Sequence, residues 1–371
     1  MVLLKWKACV TAVTLTAIAF TGSKSAFAAS LYSLTDLGSL TGETYSYATD
    51  INDSGEVAIN SLNSSFFYSN GSVKTISPLP GDNELGVTGI NNLGQVVGNS
   101  VGANFTNNPF LYSNGITQPL AIENAIPYGI NDRTQIVGGS TGLGAFLYSN
   151  GVATSIGIPG AGAYNLNNSG QVVGILNSNR AFLYQNGQTT NLGTLPSDNY
   201  STANNINDLG QVVGTSGLSD INDGRAFLYS STTGLQDLGR LRPTDSFSVG
   251  LGINNLGQVV GFSGNNNDFF TTDSNGLRAF LYSDNTLYDL NDLIAPGSNP
   301  GFTLTAASAI NNKGQIVGRG AVNGELRAFL LTPISSVSVT EPTSGIPILS
   351  FGGLLILLAA FKGKPHTSPE D

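Results

Sequence analysis

Few side chains in this sequence can carry chemistry. It holds one histidine (His366), one cysteine (Cys9) and one methionine (Met1). Catalysis by a histidine base, a cysteine nucleophile or a thiolate-bound metal therefore lacks its residues. Carboxylates remain, and two on one site suffice for glycoside hydrolysis. Only seven of the 24 acidic residues are glutamates, none recurring in register, so no pair is marked and acid–base work by Asp stays open. The sharper candidates are Arg180, Arg225, Arg278 and Arg327, each standing directly before an Ala-Phe pair. At equivalent places in neighbouring units, their guanidinium groups would surround one opening and suit the carboxylates or sulfates of a polysaccharide. The plainer alternative pairs each with an Asp at the edge of its own unit. Asp220-Ile221-Asn222-Asp223-Gly224 comes nearest to a calcium loop but is not a full Asp-x-Asp-x-Asp-Gly, so no metal and no cofactor is expected.

Composition narrows the class further. The 371 residues include 15 Lys plus Arg, giving a net charge of −9 with 11% of residues charged and 40% hydrophobic. A disordered chain would be poorer in apolar residues and denser in charge. A nucleic-acid partner would need a basic footprint, and the isoelectric point near 4.5 supplies none.

Both ends read as addresses. Lys5 and Lys7, an apolar stretch over residues 8–20 and the small triplet Ala26-Phe27-Ala28 have the layout of a secretory signal peptide over residues 1–28, cleaved between Ala28 and Ala29. Cleavage would remove Cys9 and three lysines, leaving an exported chain without disulfides and more acidic than before. At the other end, residues 346–361 are apolar or small, and the tail over residues 362–371 that follows opens with Lys362 and Lys364. That is a short candidate membrane helix with a basic flank. With Thr340-Glu341-Pro342 in the linker over residues 334–345, the segment resembles the PEP-CTERM sorting signal of bacterial exported proteins. The resemblance implies handling by export and sorting machinery and at least transient anchoring through residues 346–361.

Between the ends, over residues 29–333, one unit recurs seven times. Its turn reads Ile-Asn-Asp-Ser-Gly from Ile51, Ile-Asn-Asn-Leu-Gly from Ile90 and Ile253, Ile-Asn-Asp-Arg-Thr from Ile130, Leu-Asn-Asn-Ser-Gly from Leu166, Ile-Asn-Asp-Leu-Gly from Ile206 and Ile-Asn-Asn-Lys-Gly from Ile310. Six copies continue into Gln-Val/Ile-Val-Gly. The second element, Ala-Phe-Leu-Tyr or a relative, centres on Phe67, Phe110, Phe146, Phe182, Phe227, Phe280 and Phe329, and often runs into Ser-Asn-Gly. Asn at the turn start and Gly in its φ > 0 seat are hairpin chemistry. The flanking runs of Val, Ile, Phe and Tyr have strand length. A strand apolar on both faces, as Ala-Phe-Leu-Tyr is, belongs between packed sheets.

Four short strands per unit of about 40 residues is the pattern of a propeller blade. The fold expected is therefore all-β: a seven-bladed β-propeller closed by pairing of its N- and C-terminal strands, with one C-terminal apolar helix outside it. The repeat resembles the HAF family of bacterial extracellular repeats, with Arg in four copies at the family's histidine. That resemblance implies export and no particular activity. The function expected is a non-enzymatic binding or structural module of the cell envelope or matrix, with surface polysaccharide or protein as partner. A secreted carbohydrate-active hydrolase or lyase working through Asp or Glu is the alternative. N-terminal sequencing of the exported protein is expected to begin Ala29-Ser30-Leu31-Tyr32, and an intact N-terminus would overturn the cleavage.

Overall fold

A computed structural model describes residues 31–334 except 63, 103–104, 158–159, 219–222, 266–275 and 299–300. The signal segment with Ala28 and Ala29, the triplet at Thr340 and residues 346–361 lie outside the described residues, as do Asp220, Ile221 and Asn222. The described chain forms seven antiparallel four-stranded sheets. Their innermost strands, Ser46–Ile51, Glu84–Ile90, Ala125–Ile130, Gly162–Leu166, Tyr200–Ile206, Phe247–Ile253 and Thr303–Ile310, pack each against the next and the last against the first. The expected seven-bladed propeller is formed.

The aromatic run is the third strand of each blade, and six of its seven phenylalanines, Phe110, Phe146, Phe182, Phe227, Phe280 and Phe329, are fully buried. Each pairs opposite the glycine of Val-Val-Gly or Ile-Val-Gly, as Phe227 does opposite Gly214. A Cβ on Gly214 would stand 1.9 Å from the Thr202 carbonyl oxygen and 2.7 Å from the Phe227 ring. Only glycine fits there. The first blade carries Ala58 at this place opposite Phe67, and Phe67 is only half-buried, tilting its ring against Tyr112 of the second blade at 5.9 Å.

The seventh sheet takes its outer strand from the other end of the chain. Tyr32–Asp36 pairs antiparallel with Glu325–Pro333, Tyr32 opposite Pro333 and Asp36 opposite Phe329. Arg327 holds Asp36 at 2.9 Å and also Glu325. Sequence suggests a strand up to Gly38, but it stops at Asp36. There the Asp36 carboxylate accepts the Ser39 N–H and its carbonyl accepts the Ser39 hydroxyl, starting a helical turn over Gly38–Thr41.

The Asn turns do more than turn the chain. Each Asn Oδ1 accepts N–H groups two and four residues on, as Asn207 does from Leu209 and Gln211. Each Nδ2 then donates to the backbone carbonyl of the corresponding Asn in the next blade. Asn52 reaches Asn91, Asn91 reaches Asn131, then Asn167, Asn207, Asn254 and Asn311, which returns to Asn52, all at 2.9–3.1 Å. A second ring runs through the following residues: the N–H of each donates to the side-chain oxygen of its neighbour, from Asp53 to Asn92, Asp132, Asn168, Asp208, Asn255, Asn312 and back, at 2.8–2.9 Å. Asn207→Ala removes four hydrogen bonds of a 4%-exposed side chain. It is expected to cost roughly 2–4 kcal/mol in chemical denaturation, whereas Asn186→Ala in an exposed outer turn should cost far less.

Candidate functional site

The axis of the ring is a funnel, and a backbone irregularity decides which side chains line it. Every innermost strand loses register one or two residues before its Ile-Asn or Leu-Asn, between Ala48 and Asp50, Val87 and Gly89, Pro127 and Gly129, Ala163 and Asn165, Ala203 and Asn205, Gly250 and Gly252, and Ala307 and Ala309. Such a bulge sets two consecutive residues against one partner, so both can address the lumen. The residues skipped are Thr49, Thr88, Tyr128, Tyr164, Asn204, Leu251 and Ser308, and all seven line a cavity of about 540 Å³ at the wide mouth. The next layer holds Asp50, Asn165, Asn205 and Ala309 with three glycines, and beyond it the asparagine rings enclose a narrow end of about 150 Å³.

Most of the polar side chains in this lining are committed to neighbours. Thr88 Oγ1 donates to the Pro127 carbonyl at 2.8 Å. Asn204 donates to the Gly250 carbonyl at 2.8 Å. Asn60 pairs with both the N–H and the carbonyl of Val87 at 2.9 Å, acting as a peptide group between two blades. Tyr128 and Tyr164 meet edge to face, ring centroids 5.6 Å apart. Burial chiefly, and then Tyr200 and Tyr128, push the Tyr164 phenol up to about 12, so it stays neutral and can both donate and accept. Arg319, 3% exposed, is the cation of the wall.

Asp50 stands where the mouth meets the narrow end. Its Oδ1 accepts the Ile51 N–H at 2.9 Å and its Oδ2 the Ile90 N–H of the second blade at 3.0 Å. It is half-buried, with its open face toward the lumen. Burial raises its carboxyl to about 6 against the lowering effect of those two donors, Ile90 and Ile51. Sequence reasoning passed over Asp50 and the bulge residues. The available signal was that the pair at these two positions is different in every repeat while the Ile/Leu-Asn after it recurs.

The four arginines lie elsewhere, at the start of the third strands of the fourth to seventh blades, and none lines the funnel. Arg225 bridges Asp198 at 3.0 Å and Asp237, and Arg327 bridges Asp36 and Glu325. Arg180 donates to the backbone carbonyls of Asn179 and Asn199; Arg278 is half-buried. Close carboxylates do occur at the narrow end. Asp53 and Asp132 accept from one Asn92 carboxamide at 3.5 and 3.0 Å, and Asp132 and Asp208 from Asn168 at 2.9 and 3.3 Å. Their oxygens are held in the rings and do not line the wide cavity. Among the described residues no three of His, Cys, Asp and Glu converge as a metal site.

Fold and funnel together define the class: a seven-bladed β-propeller, sealed by its N-terminal strand, with a polar and aromatic axial cavity. No family model and no curated protein matches the chain. Among solved structures it is similar to YCF48 bound to D1 peptide, at 11% identity and a TM-score of 0.53 over 84% of this chain and 97% of that one. It is also similar to the extracellular domain of a hybrid two-component system from B. thetaiotaomicron, at 14% identity and a TM-score of 0.51 over 81% of this chain and 39% of that one. At these identities the likeness is one of fold.

Because the folded carboxyl of Asp50 is raised above its ordinary 3.8, the native state holds this proton more tightly than the unfolded chain. The contribution of Asp50 to stability is therefore greatest below about pH 4 and is lost as pH rises through about 6. Asp50→Asn is expected to flatten that dependence. Its denaturation free energy relative to the natural protein should shift in its favour by on the order of 2–3 kcal/mol between pH 4 and pH 7.

Proposed function

We propose that the protein is an exported, non-enzymatic binding module of the cell envelope or extracellular matrix that holds a surface polysaccharide or protein at the wide mouth of its funnel. The observation that carries this reading is the contrast within the repeat. The residues that build the blade are nearly the same seven times over, whereas the two lumen positions read Thr-Asp, Thr-Gly, Tyr-Gly, Tyr-Asn, Asn-Asn, Leu-Gly and Ser-Ala in turn. Seven identical rims would suffice for a scaffold. An asymmetric lining of Tyr, Asn, Asp and Arg suits one ligand in one orientation.

Two further features support it. The similar YCF48 structure is bound to a peptide. The third strand of each blade runs in the same direction as the innermost one, so Pro333 ends beside Gly314 of the seventh Asn turn. The described chain thus ends on the turn face, away from the mouth. PEP-CTERM-like sorting and HAF-type export, read from the sequence, agree with that arrangement.

Full-length protein incubated with fractionated envelope polysaccharides and surface proteins is expected to bind without changing them. Tyr128→Ala combined with Tyr164→Ala should weaken binding about tenfold or more, while Leu209→Ser, on an exposed turn of the opposite face, should not. Turnover of any fraction would overturn the module and return the search to the carboxylates. Binding lost instead with Arg225→Ala or Arg278→Ala would move the site to the blade edges.

A further inference from the structure

The layer that closes the mouth is built asymmetrically, and its chemistry narrows the ligand. Asp50 belongs to the first blade, and Asn165 and Asn205 to the fourth and fifth, the two blades that face the first across a ring of seven. All three use one side-chain oxygen identically, accepting the N–H of the next residue: Asp50 from Ile51 at 2.9 Å, Asn165 from Leu166 at 2.7 Å and Asn205 from Ile206 at 2.7 Å. Asparagine therefore satisfies the following N–H at this place. The second carboxylate oxygen of Asp50 also accepts the Ile90 N–H of the second blade, where Gly89 has no side chain to do so; each oxygen keeps accepting capacity toward the lumen, and among the described residues the carboxylate has no ion-pair partner. On the far side, the NH2 groups of Asn165 and Asn205 have no protein partner among the described residues, and both carboxamides border the cavity. The lumen thus sets an acceptor on one wall against two donors on the other, beneath the Tyr128–Tyr164 pair.

A carboxylate or sulfate drawn to Arg319 and the two NH2 groups would still meet Asp50, and an ammonium drawn to Asp50 would still face two NH2 groups with Arg319 in the same wall. A hydroxyl donates and accepts at once, so vicinal hydroxyls can bridge Asp50 and the two carboxamides, while the apolar face of a sugar ring lies against a tyrosine. Resting on the binding-module reading above, we propose that the funnel recognises the terminal, uncharged sugar of a glycan, inserted end-on. The end-on mode follows from the shrinkage of the lumen from about 540 Å³ to about 150 Å³ at the asparagine rings, which leaves room for a chain end and not for a passing chain.

The test is an array of neutral, acidic and amine-bearing oligosaccharides, each immobilised in parallel through its reducing and its non-reducing end, with lysine-rich peptides on the same surface. Full-length protein is expected to bind neutral glycans from one attachment only. Asp50→Asn, which keeps the Ile51 bond and gives up the Ile90 bond, and Tyr164→Ala, which leaves both, should each lower that binding roughly tenfold or more, with Leu209→Ser unchanged. Neutral-glycan binding that is absent, indifferent to attachment, or unaltered by both variants overturns the proposal. Capture of the peptides or of acidic glycans through the mouth overturns it while the binding module stands. Hydrolysis of an arrayed glycan removes both.

Discussion

The hydrogen bond from one asparagine carboxamide to the next blade's backbone carbonyl, made seven times in a closed circle, is the interaction on which the structure depends. Each of these side chains is buried, so each must satisfy its polar atoms within the protein. It does so by closing its own turn with Oδ1 and joining its neighbour with Nδ2. A cycle of this kind has no free end, and a link dropped by displacing one carboxamide leaves a buried N–H without its acceptor, while the carbonyl it leaves keeps only the N–H of its own turn. The outer ring adds a restriction of charge. Asp53, Asp132 and Asp208 each lie between two asparagines, whose NH2 groups point at their carboxylates. In a circle of seven, three is the largest number of carboxylates that can be seated with none adjacent. A fourth would place two negative charges side by side.

The bulges follow from the same ring. Drawing all seven innermost strands toward one axis crowds their backbones, so that a Cβ on Gly252 would stand 2.9 Å from the Ala309 Cα. Small residues and an extra residue per strand relieve the crowding, and the bulge re-aims side chains at the lumen. What builds the narrow end therefore also shapes the wide one. The fold spreads its repeated residues over structure and leaves the displaced positions free to differ.

This division explains what the sequence made legible. The turn motif, the aromatic strand and the 36- to 57-residue spacing are local, strongly patterned signals, and they sufficed for blade count, four strands per blade and closure. The lumen was not legible. Thr49 and Asp50 precede a recognisable motif, and a bulge breaks the period of two by which strand faces are assigned. The arginines recur in register, and their partners are both near and far. Asp237 lies 12 residues from Arg225 and Glu325 two from Arg327, within reach of the plainer reading that pairs each with an acid of its own unit. Asp198 and Asp36 lie 27 and 291 residues away, and no short-range reading could have supplied those.

The closing strand fixes the order in which the molecule can be completed. Ser33 bonds to the Thr332 carbonyl across 299 residues, so the first strand of the domain to be synthesised pairs with the last. Until then the seventh sheet has no outer strand, Tyr32–Asp36 has no sheet to join, and the largest loop in the molecule is unclosed. A chain interrupted anywhere before Glu325 is therefore an open arc with two unsatisfied edges, so an intact ring is itself a report that the whole domain has been made.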